Sequence, residues 1–108
     1  MAGRTPRHTR TRARLRVDIG ASGGRKNASF TANVGPRGVF VRTVSPPRHG
    51  TQVEMLLHMP DSDPIEVAGV VRWGQVAPRY STSKQSGCGI ELVNPPPSWI
   101  AYIRGLTT

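Results

Sequence analysis

The chain has 108 residues, with 15 Lys and Arg against 6 Asp and Glu and a formal net charge of +9. That length holds one small domain around a single core. No stretch approaches the roughly eighteen consecutive apolar residues of a membrane span, and a lone cysteine, Cys88, excludes an internal disulfide and a multi-cysteine metal site.

The first sixteen positions hold Arg4, Arg7, Arg10, Arg12, Arg14 and Arg16 and no acidic residue. Residues 1–14 read as a flexible basic arm, and residues 15–108 as the folded domain. Arginine in every case favours planar, bidentate contact with phosphates and guanine edges over simple solubility. No apolar stretch follows these charges, so the arm does not read as a signal peptide. With the single cysteine suggesting a reducing compartment, the expected location is cytoplasmic.

Alternation of apolar and polar residues predicts strands at 15–19, 29–34, 38–44, 52–59, 65–73 and 87–93. Val53, Met55, Leu57 and Met59 share one face against Glu54 and His58; Ile65, Val67, Val71 and Trp73 share another against Glu66 and Arg72. Gly and Pro punctuate the pattern at 20–24, 45–50 and 60–64. Between the second and third strands, Asn33-Val34-Gly35-Pro36-Arg37-Gly38 is a turn, with Pro36 setting φ and Gly38 ending it without steric cost. Residues 75–86 form a polar loop in which Tyr80 and Lys84 are best able to touch a partner. Cys88, between two glycines in a strand, reads as a small packed residue.

After Pro95-Pro96-Pro97, Ser98 reads as an N-cap. Trp99, Ile100 and Ile103 then form one apolar stripe of a helix about two turns long. The sum is an all-β domain: a small, mostly antiparallel, six-stranded barrel whose open end is plugged by the helix through Trp99 and Ile103.

Enzymatic chemistry finds no foothold. His8, His49 and His58 are dispersed without metal-ligand spacing, and the acids lie in separate turns and strands. Gly23-Gly24-Arg25-Lys26 lacks the spacing of a phosphate loop. The chain therefore reads as a binding module, not an enzyme, with no metal site and no cofactor.

An Arg-x-x-x-Arg segment, then a strand, then [Asp/Asn]-x-Ser-x-x-Gly leading into a strand, is the pattern of the PilZ domain, the bacterial cyclic-di-GMP receptor module. This chain resembles it through Arg10-Thr-Arg-Ala-Arg14, or the overlapping Arg12-Ala-Arg-Leu-Arg16, and through Asn33-Val-Gly35-Pro-Arg-Gly38. PPRHGTQV at 46–53, PIEVAGVVRW at 64–73 and GCGIELV at 87–93 resemble the family's later landmarks. The resemblance implies a PilZ-type barrel that binds cyclic-di-GMP through Arg10, Arg14, Asn33, Gly35 and Gly38. The arm would wrap the ligand and signal to a partner protein. Gly35 replaces the family's Ser, removing a hydroxyl worth on the order of 1.5 to 3 kcal/mol to a charged ligand. Two alternatives accompany this reading: a degenerate PilZ-like interaction module without nucleotide, and a basic nucleic-acid-binding barrel.

Overall fold

The computed structural model describes residues 10–77 and 86–107. Most of the basic arm, residues 1–9, lies outside the described residues, as do Tyr80 and Lys84 of the polar loop. Strands β1 (Thr11–Arg12), β2 (Arg16–Ala21), β3 (Asn27–Val34), β4 (Gly38–Arg42), β5 (Gln52–Leu57), β6 (Ile65–Gln75) and β7 (Gly87–Val93) precede helix α1 (Pro97–Thr107). All pairings are antiparallel, in the order β3-β2-β5-β6-β7-β4, and β4 pairs back to β3. Six strands thus close a barrel and leave it no open edge. The two-residue β1 lies on β3 beyond the point where β2 leaves it.

Inward positions supply the core: Leu15, Val17, Val34, Val39, Val41, Val53, Met55, Leu57, Val71 and Ile90 are buried. Each such side chain contributes about 1.5–3 kcal/mol when fully withdrawn from water. One end is closed by α1, which buries Trp99 completely and Ile103 almost so. The helix is longer than the sequence pattern suggests, 11 residues or about three turns. Ser98 is not its cap. The helix opens at Pro97, Pro96 accepts the first helical N–H groups from Trp99 and Ile100, and Ser98 sits inside the first turn. Proline suits that first position because its missing N–H has no helical partner to lose.

Three irregularities in the ladders bear on the site. In β3, Thr31 pairs with Val41 but Asn33 pairs with Phe40, so Ala32 is an extra residue. In β6, Val71 pairs with Ile90 but Trp73 pairs with Gly89, so Arg72 is extra. Each bulge reverses the inside-outside alternation beyond it. Trp73, placed by the sequence pattern on the core face with Val71, is therefore turned outward and is 45% exposed. The third irregularity separates β1 from β2, where residues 13–15 face only Thr31 and Ala32. There the buried Thr31 hydroxyl accepts from the Leu15 N–H at 2.9 Å and donates to the Ala13 carbonyl at 2.7 Å. One side chain thus stands in for the missing rung.

Candidate ligand-binding site

The turn from β3 to β4 is held from three sides. The Gly35 N–H donates to the Gly38 carbonyl at 2.8 Å, closing the turn. From α1, the buried Trp99 indole N–H donates to the Gly35 carbonyl at 3.0 Å. From β7, the Leu92 N–H donates to the Arg37 carbonyl at 2.8 Å. The turn is therefore a rigid ledge. Gly38 is required there by close approach: a Cβ would stand 3.0 Å from both the Ile90 carbonyl oxygen and Arg10 Nη2.

Arg10 lies across this ledge and donates from Nη1 to Asn33 Oδ1 at 3.0 Å. Of the residues the sequence singles out, Arg10, Asn33 and Gly38 come together, while Gly35 is buried in the base of the turn. Arg14 lies elsewhere on the same face, its guanidinium 4.1 Å above the centre of the Phe30 ring. Arg16 pairs with Asp18 at 3.6 Å instead.

The Arg10–Asn33 bond lies between two shallow cavities, one lined by each partner. One, about 230 Å³, is lined by Arg10, Arg37, Gly38, Arg72, Trp73 and Glu91 among others. The other, about 580 Å³, is lined by Arg12, Arg14, Asn33, Arg42 and neighbouring β1 and β3 residues. Arg37, Arg42, Arg72 and Trp73 were not picked out as site residues by the sequence pattern. Arg37 was visible inside the turn motif and Arg72 on the outward side of its strand, but Trp73 reaches this face only through the β6 bulge.

Trp73 is seated by design of the strands around it. Its ring stacks on Phe40, centroids 5.2 Å apart and planes inclined by 30°. It lies flat on Gly89, where a Cβ would come within 2.2 Å of the indole nitrogen. The half-exposed indole is thus a fixed aromatic face beside guanidinium groups, an arrangement suited to a planar base. Glu91 holds Arg72 at 2.6 Å and is the only carboxylate among the lining residues of the two cavities. The six arginines 10, 12, 14, 37, 42 and 72 make this face strongly cationic. It offers planar donors for phosphates and guanine edges. Among the described residues, no group of three His, Cys, Asp or Glu is placed to hold a metal ion. No helix among them is long and apolar enough to cross a membrane.

A closed antiparallel barrel with a helical plug and an arginine-lined turn has the form of a small binding module. The sequence matches the PilZ domain over residues 4–106, and the chain belongs to that family. Its fold is similar to that of the solved Bacillus subtilis inhibitor of motility (MotI/DgrA). The TM-score is 0.75 at 18% identity, covering 96% of this chain and 49% of that one. The chain thus spans about half the length of that structure. Comparison with curated proteins finds no match.

Proposed function

We propose that this chain is a receptor for cyclic-di-GMP that binds the dinucleotide across the Arg10–Asn33 junction. The observation that carries the reading is that bond itself: it joins the arginine segment to the β3–β4 turn, and each of its partners lines one of two arginine-lined cavities. Membership of the PilZ family supports the choice of ligand. Cyclic-di-GMP carries two phosphates and two guanines, and guanidinium groups serve all of them, as forks to O6 and N7, as phosphate donors and as stacking planes.

In this mechanism, Arg10 exchanges its bond to Asn33 for ligand contacts and the freed Asn33 amide meets a guanine edge. Arg14 closes from the Phe30 side, and Gly38 admits the ligand close to the backbone beside Gly35. Fixing residues of the basic segment costs roughly 1–2 kcal/mol each. Binding thus changes the conformation of the arginine segment, and that change passes the signal to a protein partner.

The test is calorimetric titration with cyclic-di-GMP of the wild type and of Arg10→Ala with Arg14→Ala. Saturable heat in the wild type, with affinity at least tenfold weaker in the double variant, is expected. Absence of heat in the wild type rejects the receptor reading. That outcome would favour an adaptor without nucleotide, a reading supported by Gly35 in place of the motif serine and by Glu91 already occupying Arg72.

A further inference from the structure

The cavity of about 230 Å³ beside Arg10 holds one group at odds with its charge. Glu91 stands among Arg10, Arg37 and Arg72, where its carboxylate repels any phosphate that those guanidinium groups attract. Its pair with Arg72 is half-exposed, 54% for Glu91 and 52% for Arg72, and an ion pair in that much solvent adds little to the fold. A carboxylate on this face calls for a ligand group that donates hydrogen bonds, and a phosphodiester has none.

Backbone register places this carboxylate beside the stacking ring. Glu91 and Gly89 are two residues apart on β7 and so face the same way, outward, and the Trp73 indole lies on Gly89. On β4, Glu91 pairs with Gly38 of the turn. Glu91 Oε1 accepts from Arg72 Nε at 2.6 Å. That bond uses one of the guanidinium's five N–H donors and one of about four lone-pair positions on the carboxylate, so it holds the two groups side by side and leaves both able to bind more. The cavity wall thus combines an aromatic face, guanidinium forks and one carboxylate.

Guanine matches each of the three: a flat ring, the acceptors O6 and N7, and a donor edge of N1–H and the N2 amino group. We propose that this cavity is a single-base subsite in which Glu91 selects guanine, accepting from N1–H and the N2 amino group while Trp73 stacks on the ring. Adenine has an acceptor at N1 where guanine has a donor, so the carboxylate opposes it. At about 230 Å³ the cavity is smaller than the roughly 300–1,000 Å³ of pockets that enclose a whole ligand, as suits one base of a larger molecule. The inference rests on the cyclic-di-GMP reading and deepens it: Asn33, lining the other cavity, meets one guanine, and Glu91 meets the second.

The experiment is calorimetric titration of the wild type and Glu91→Gln with cyclic-di-GMP and with its hypoxanthine analogue, cyclic-di-IMP, which keeps O6, N7 and N1–H and lacks only the N2 amino group. The wild type should bind cyclic-di-GMP about tenfold or more tighter than the analogue. Glu91→Gln, an exposed change of equal shape, should weaken cyclic-di-GMP about tenfold or more and the analogue about threefold or less, so that the preference for guanine shrinks. Equal loss for both ligands would mean that glutamine disturbs the site without reading the base, and would overturn the proposal. Tighter binding of cyclic-di-GMP by Glu91→Gln would also overturn it, since Glu91 would then only repel phosphate. In both cases binding by the wild type keeps the receptor reading standing; absence of heat in the wild type removes that reading and this inference together.

Discussion

Arg10 reaches Asn33 because Ala32 is an extra residue in β3: without that bulge, Asn33 would share the inward face of Thr31, away from the arginine. The same device operates across the barrel in β6, where the extra Arg72 sends Trp73 outward to the cavity that Arg10 lines. Two bulges in separate strands thus aim an amide and an indole at one arginine-lined face. A regular barrel of the same composition would have pointed both inward.

Arg10 is exposed, and so is its bond to Asn33. Solvent replaces an exposed hydrogen bond at little cost, so Arg10→Ala should change unfolding free energy by less than about 0.5 kcal/mol. Cyclic-di-GMP affinity should fall at least tenfold, since a charged hydrogen bond to ligand is worth about 1.5–3 kcal/mol. Paired urea unfolding and calorimetry read both quantities. A large loss of stability with unchanged affinity would make Arg10 a structural residue instead.

Thr31 is the reverse case, a buried polar side chain serving the fold. Thr31→Val keeps the shape and leaves the Leu15 N–H and Ala13 carbonyl without their partner. The expected loss is about 1–3 kcal/mol. Thr31→Ser, which keeps the hydroxyl, should recover most of it. Faster amide exchange at Leu15 in the valine variant would locate the loss at the β1–β2 junction, whereas an unshifted unfolding midpoint contradicts the assigned role.

Gly89→Ala tests the seat of Trp73. Its Cβ would stand 2.2 Å from the indole nitrogen and 2.4 Å from Cε2, so the ring must leave its place against Phe40. Tryptophan emission should shift to the red, because Trp99 stays fully buried and only Trp73 gains water. Loss of the stacked pair costs about 0.5–1.5 kcal/mol. Nucleotide affinity should fall with the displaced ring; unchanged emission would mean that the alanine is absorbed elsewhere.

Most of the barrel was legible in local alternation. The strand at Gly87–Val93 was placed with its observed ends. Trp99 and Ile103 were recognised as the plug because their helical spacing shows without any neighbour. The bulges were not legible, since an extra residue is a property of two paired strands and nothing in Thr-Ala-Asn or Val-Arg-Trp marks one. Trp73 was misplaced for that reason, and the cavity it lines was missed with it. The Gly-Cys-Gly run was visible as a strand, but the rings seated on its glycines come from β4 and β6. Asn33 and Gly38 share one short turn motif, so their proximity is legible locally, whereas the Arg10–Asn33 bond joins residues 23 apart and depends on the pairing of β1 with β3.

The remaining prediction concerns acid stability. Asp18 on β2 accepts from His58 Nε2 at 2.9 Å and faces Arg16 at 3.6 Å. The His58 hydrogen bond, opposed by partial desolvation and aided by the Arg16 charge, lowers the Asp18 carboxyl below its ordinary value of 3.8. A carboxylate depressed in the folded state binds protons more readily when unfolded. Its stabilising contribution is therefore fully present above the ordinary carboxylate range and is lost as pH falls through the lowered folded value. Urea midpoints of the wild type and Asp18→Asn should differ at pH 5.5, with the wild type more stable, and converge as the pH falls through the lowered folded-state value of Asp18 and that contribution titrates away. A gap that persists unchanged at pH 2.5 would show that asparagine perturbs β2 for reasons other than charge.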